Sequence, residues 1–123
     1  MASPNIVNVT SIIAALSYAA PANTATTVLV SNAASSASVI KVNSLTCTNV
    51  SALAATVTVA VTSSAAGAGT SYRLAYQISI PVNSSLQLID KSNFVYLIED
   101  KSLVVTSGTS SAIEYVTSYE TIS

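Results

Sequence analysis

The chain has 123 residues, enough for one domain that buries about two-thirds of the surface its unfolded form exposes. Charged residues make up 7% of it, against about 25% in an ordinary soluble domain, and the net charge is −1. The cations are Lys41, Arg73, Lys91 and Lys101 alone. Nucleic-acid binding by phosphate neutralisation is therefore excluded, and no apolar run reaches the ~20 residues of a membrane-spanning helix.

The first 20 residues stand apart. Ile6, Val7, Val9, Ile12 and Ile13 are apolar, and Pro4 and Pro21 bracket the segment. Residues 1–20 form either an arm that leaves the domain to pair with a neighbour or the first strand of the domain itself. In the arm reading, Pro4, Ile6, Val7, Val9, Ile12 and Ile13 are the partner-binding residues, because an extended apolar segment can add a strand to an exposed sheet edge. The alanines of Ala14 to Ala20 suggest a short helical turn. Small residues near Pro21 resemble a signal-peptide cleavage site, but no Lys or Arg precedes Lys41, so a secretion signal is not expected.

From residue 21 onward, apolar residues recur with period two, the signature of half-buried strands. Thr24 to Val30 is a weak strand, followed by the small-residue loop Ser31 to Ser38. Val39 to Val50 is long, and its apolar phase changes between Ile40/Val42 and Leu45/Cys47, which predicts a β-bulge near Asn43 and Ser44. In Thr56 to Thr62, Val57, Val59 and Val61 alternate with polar and small residues. Ser63 to Thr70 contains Gly67 and Gly69 and reads as a flexible hairpin tip.

Ser71 to Pro81 is the clearest strand: Tyr72, Leu74, Tyr76, Ile78 and Ile80 alternate with Arg73, Ala75, Gln77 and Ser79. Leu86 to Ile89, Phe94 to Ile98 and Leu103 to Thr106 follow, separated by turns at Asp90–Asn93 and Glu99–Lys101. After the turn Ser107–Ser111, Ile113, Tyr115, Thr117 and Tyr119 alternate to the end. Eight or nine short strands at this spacing predict an all-β fold, a single antiparallel sandwich or jelly roll, over residues 21–123. Tyr72, Leu74, Ile78, Ile80, Val57, Val59, Leu88 and Leu103 are expected to point inward.

Candidate chemistry is sparse. The chain contains no histidine, so Ser-His-Asp and Cys-His nucleophilic sites cannot form, and zinc or iron would lack their commonest protein ligand. With three glycines and no phosphate-loop motif, no nucleotide site is expected. The single cysteine, Cys47, sits among β-branched residues as a buried small hydrophobe would. Asp90, Glu99 and Asp100 lie in turns beside Lys91 and Lys101, as solvated carboxylates with local ion pairing. Glu114 and Glu120 suit edge-strand charges that deter aggregation. The sequons at Asn8, Asn49 and Asn83 are what a chain rich in Ser, Thr and Asn produces by chance. These features predict neither enzymatic activity nor a cofactor.

Several stretches are similar to small virion structural proteins of tailed phages, especially phages of cyanobacteria and other aquatic bacteria. They are ASPNIVNVTS at Ala2–Ser11, VSNAASS at Val30–Ser36, KVNS at Lys41–Ser44, YRLA at Tyr72–Ala75, ISIP at Ile78–Pro81, VYLIEDKSL at Val95–Leu103 and SYETIS at Ser118–Ser123. Residues 52–69 depart from that pattern, in which more acidic residues occur. The resemblance implies a place in the virion after assembly in the host cytoplasm. It implies as partners a major capsid protein or another virion protein, and no catalytic residues. Combined with a charge-poor surface that costs little to desolvate, it leads to the expectation of a head decoration (cement) protein. Such a protein would pack against itself as a dimer or trimer and against the capsid. A tail, neck or baseplate component and a receptor- or glycan-binding β-module are the alternatives.

Overall fold

A computed structural model describes residues 9–123. Among the described residues, nine strands account for the regular structure: β1 (Ile12–Ala19), β2 (Thr27–Asn32), β3 (Val39–Asn49), β4 (Ala55–Thr62), β5 (Ser71–Ile80), β6 (Ser85–Ile89), β7 (Val95–Leu97), β8 (Lys101–Ser107) and β9 (Ile113–Ile122). The first sheet has the order β1-β9-β3-β6, with β7 also pairing with β3 beyond β6; the second has the order β2-β8-β4-β5.

The pairings nest. β1 pairs with β9, β2 with β8, β3 with β6 and β7, and β4 with β5, all antiparallel. The chain is thus one long two-stranded ribbon, tipped at β4–β5, whose successive rungs fall alternately in the two sheets. Rolling such a ribbon gives the jelly roll, and the fold class expected from the alternation is the one observed. Val42, Leu45, Cys47, Ile113 and Tyr115 from the first sheet meet Val57, Val59, Leu103 and Val105 from the second in one core. At strand ends, buried Asn49 donates its amide to the carbonyls of Leu53 and Ile80 (both 2.9 Å), replacing ladder partners that the bending chain has lost. The Asn49 sequon is therefore inside the protein.

The bulge read from the phase change is present: the β3–β9 register shifts between Val42 and Ser44, leaving Asn43 as the extra residue. Four other expectations need correction. Ala14 to Ala19 is strand rather than a helical turn, since every residue of β1 pairs with β9. The strand Ser71–Ile80 is not a regular alternation. Its register with β4 shifts twice, and Gln77 has φ 50°, in the left-handed region. The shifts bury Ala75 and Ile80, whereas Tyr72, Leu74 and Ile78 are exposed. Leu88 is half-buried at the β3–β6 bulge.

The third correction concerns Ser63 to Thr70, which is no free tip. It lies back on the outer face of the second sheet. The Ser64 carbonyl accepts from Thr62 Oγ1 (2.7 Å) and Ser102 Oγ (2.8 Å), and the Ala65 carbonyl accepts from Ser31 Oγ (2.7 Å). The Ala65 amide donates to Asp100 Oδ1 (3.1 Å), and Gly67, at φ 78°, lies against Val28. Small side chains let this loop lie flat against Thr62, Ser102 and Val104, all of them buried. The fourth correction concerns the turn carboxylates and belongs to the site.

Candidate interaction surface

Two groups singled out by burial, Cys47 and Tyr115, are held inside the core. Burial pushes the Cys47 thiol up to about 12, so it is protonated and unreactive at neutral pH. Burial also pushes the Tyr115 hydroxyl up to about 12, against the opposing effect of its 2.7 Å hydrogen bond with Ser107. No group of three or more His, Cys, Asp or Glu side chains converges as metal ligands among the described residues.

Glu99 is not a solvated turn residue. It is buried, with 8% of its surface exposed; Oε2 accepts from the Ala37 amide (3.0 Å), while Oε1 has no hydrogen-bond partner among the described residues. It joins a polar knot around Asn32, whose side-chain amide donates to the carbonyls of Ser38 and Leu97 (3.0 and 2.9 Å) and whose main-chain carbonyl accepts from the Asp100 amide (2.9 Å). This knot ties the β2–β3 loop to the β7–β8 turn. Asp90 closes its own turn through the Ser92 amide (2.9 Å), and Lys101 Nζ donates to the Asp100 main-chain carbonyl (3.3 Å).

What remains is surface. In β1 the side chains of Ala15, Ser17 and Ala19 lie on the face that their partners Tyr119, Thr117 and Tyr115 share with the core, and Ile12, Ala14, Leu16 and Tyr18 lie on the opposite face. Ile12, Leu16 and Tyr18 are 55%, 60% and 74% exposed, and Val116 of β9, directly opposite Tyr18, extends the stripe. Tyr18 and Val116 border a shallow depression of about 250 Å³ with Ala20, Glu114 and Tyr115. Scattered apolar residues are normal on a protein surface; a contiguous run of them marks an interaction site.

A second apolar region lies where the sandwich opens between β5 and β6/β7. Leu74 faces Leu88, Phe94 and Val95 across a depression of about 240 Å³, and it shares one of about 310 Å³ with Val61, Tyr96 and Ile98. Phe94 and Tyr96 pack edge to face at 5.4 Å, and Lys41 Nζ sits 4.5 Å from the Phe94 ring centre.

Of the residues expected to bind a partner, Pro4, Ile6 and Val7 lie outside the described residues. Val9 is half-buried just before β1. Ile12 and Ile13 belong to β1 and are exposed, so over Ile12–Ala19 the segment is a strand of its own sheet. Leu16, Tyr18 and Val116 were not among the sequence candidates. The signal for the first two was present as the spacing of Ile12, Ala14, Leu16 and Tyr18, which the surrounding alanines disguised.

Fold and surface together define a jelly-roll domain with an exposed apolar flank. No protein-family profile matches the chain, and no curated protein matches it.

Proposed function

We propose that this chain is a virion structural protein, a head decoration subunit that packs against copies of itself and against a major capsid protein. The carrying observation is the apolar stripe of Ile12, Leu16, Tyr18 and Val116 on the outer face of the first sheet. Covering it removes apolar surface from water, worth roughly 25 cal/mol per Å², and the 7% charge content leaves few ions to strip during docking. Two associations favour a virion: the tailed-phage resemblance of the segments named above, and the recurrence of the jelly roll in viral capsid domains. The second is an analogy of fold and carries no residue roles.

The test is a stained gel of purified particles, followed by cryo-electron microscopy. A band equivalent to hundreds of copies, with density on the capsid lattice, supports head decoration; a few copies at the neck or baseplate moves the subunit to the tail. Absence from particles overturns the reading.

A second reading, a receptor- or glycan-binding module, is favoured by the exposed aromatics Tyr72, Tyr76, Phe94 and Tyr96 on or beside the β5–β7 opening. A glycan array decides it: specific binding lost in Tyr96→Ala supports this reading, and a blank array removes it.

A further inference from the structure

Open sheets must protect their edges, because an unpaired row of N–H and C=O groups is a template for another chain. Three of this sandwich's four edges carry such protection. On the second sheet, β2 is six residues long and bulged between Val28 and Val30, and the carbonyl of Leu29 there accepts from Ser17 Oγ (2.8 Å). At the other end, β5 has two register shifts, a left-handed Gln77 and the charge of Arg73. On the first sheet, the edge away from β1 is split into β6 and β7, of five and three residues, with the Asp90–Asn93 turn between them.

The fourth edge, β1, has none of this. It runs for eight residues in unbroken register with β9. It carries no charge and no proline, and its sequence is IIAALSYA.

Among the described residues, the backbone groups of β1 divide between β9 and an unpaired edge. Ser11 and Ser123 exchange two main-chain bonds, Ser11 N to Ser123 O and Ser123 N to Ser11 O, both 2.9 Å. Bonded and non-bonded pairs alternate along an antiparallel ladder. Ile13, Ala15, Ser17 and Ala19 therefore spend their backbone groups on β9. Ile12, Ala14, Leu16 and Tyr18 direct theirs to the free edge, and the same four residues carry the outer-face stripe.

We propose that β1 is a self-pairing edge: two copies join antiparallel through β1 about a two-fold axis, fusing their first sheets into one. The inference rests on the reading of the chain as an assembling subunit and names the surface it uses. Overlap of the two strands over Ile12–Tyr18, which pairs even-numbered residues with even, sets Ala15 against Ala15 of the second copy, on the axis. It leaves four hydrogen-bonded pairs, each joining residues with free groups: Leu16 with Ala14, Tyr18 with Ile12, and their two-fold equivalents. Large residues thus meet smaller ones on the outer face, and Ile13, exposed in the single chain, faces Ser17 of its mate. Because β1 is uncharged, no register of this pairing places like charges together, whereas the β5 edge would bring its Arg73 to any partner.

The test uses the full chain in sedimentation velocity and in amide exchange read by NMR. Wild type is expected to sediment as a dimer, with the amides of Ile12, Ala14, Leu16 and Tyr18 as slow to exchange as those of Ile13, Ala15 and Ser17. Ala14→Lys places two cations beside the axis. In the single chain that lysine is opposite Glu120, so the fold is retained. The variant is expected to sediment as a monomer, with protection lost at the even-numbered amides and kept at the odd ones. Gln87→Lys adds the same charge on β6, away from β1, and is expected to stay a dimer. A wild-type dimer whose even-numbered β1 amides exchange freely overturns the proposal, because assembly then uses another face. So does a monomer with those amides protected, which places another segment of the same chain on β1. A monomer that is nevertheless incorporated into particles overturns self-pairing while leaving the assembly reading intact.

Discussion

The phase of β5 makes a sharp quantitative prediction, because regular alternation treats Ile78 and Ile80 as equivalent and the structure does not. Ile80 is 2% exposed and Ile78 is 42% exposed at the open edge. Truncation to Ala removes three carbons, worth about 0.8 kcal/mol each when fully buried. For Ile80 that is about 2.4 kcal/mol of lost transfer free energy, and the enclosed void adds a further ~1–2 kcal/mol. For Ile78 the buried fraction reduces the transfer loss to about 1.4 kcal/mol, and a gap open to solvent adds little. Urea denaturation should therefore place Ile80→Ala about 2–3 kcal/mol below Ile78→Ala at equal m-value. At about 4 °C per kcal/mol, their melting temperatures should differ by roughly 8–12 °C. The inverse substitutions sharpen the test. Ala75→Asp buries an unpaired carboxylate against Val59 and should cost several kcal/mol, whereas Tyr76→Asp, on an exposed residue, should cost about 0.5 kcal/mol or less. Equal losses for the two isoleucines, or tolerance of Ala75→Asp, would refute the double bulge and restore the regular strand.

Gly67→Ala should lower stability by about 1–2 kcal/mol, since Gly67 is at φ 78° and a Cβ there would stand 2.7 Å from Val28 Cγ2; thermal melts read the loss. Ser107→Ala and Tyr115→Phe should each cost about 1–3 kcal/mol by orphaning the other hydroxyl, and the double variant should cost less than their sum; chemical denaturation of all four proteins measures the coupling. Stability should decline at alkaline pH. Unfolded Cys47 loses its proton from about pH 9, whereas the folded thiol keeps its own to about 12, so the stabilisation is complete below 9 and is lost as pH rises through that window. The slope from this group is about 1.4 kcal/mol per pH unit, and urea titrations of Cys47→Ala should show it flattened. Native Cys47 should also resist a thiol reagent at pH 8 until urea unfolds the chain.

The strands were legible because period-two alternation is a local property: each residue needs only its neighbours to declare a face. The same holds for the Asn43 bulge, where the phase of one strand breaks within itself. Topology is not local in this sense. That β1 lies beside β9, more than a hundred residues later, follows from rolling the whole ribbon, and no short window of sequence contains it. The β5 bulges are likewise non-local, because they are defined by β4: Tyr72, Leu74 and Ile78 are apolar at a perfect strand period, and the two register shifts against β4 leave all three exposed. Glu99 reads as a solvated turn carboxylate until Asn32 and Ala37 close over it.

The interaction surface is divided in the same way. Composition alone established that the chain has almost no charge with which to guard an edge. Which edge stayed unguarded was decided by tertiary structure, because an edge is defined by what lies beside it. Among the described residues, the backbone groups of Ile12, Ala14, Leu16 and Tyr18 have no partner strand because β9 bonds the alternate residues of β1.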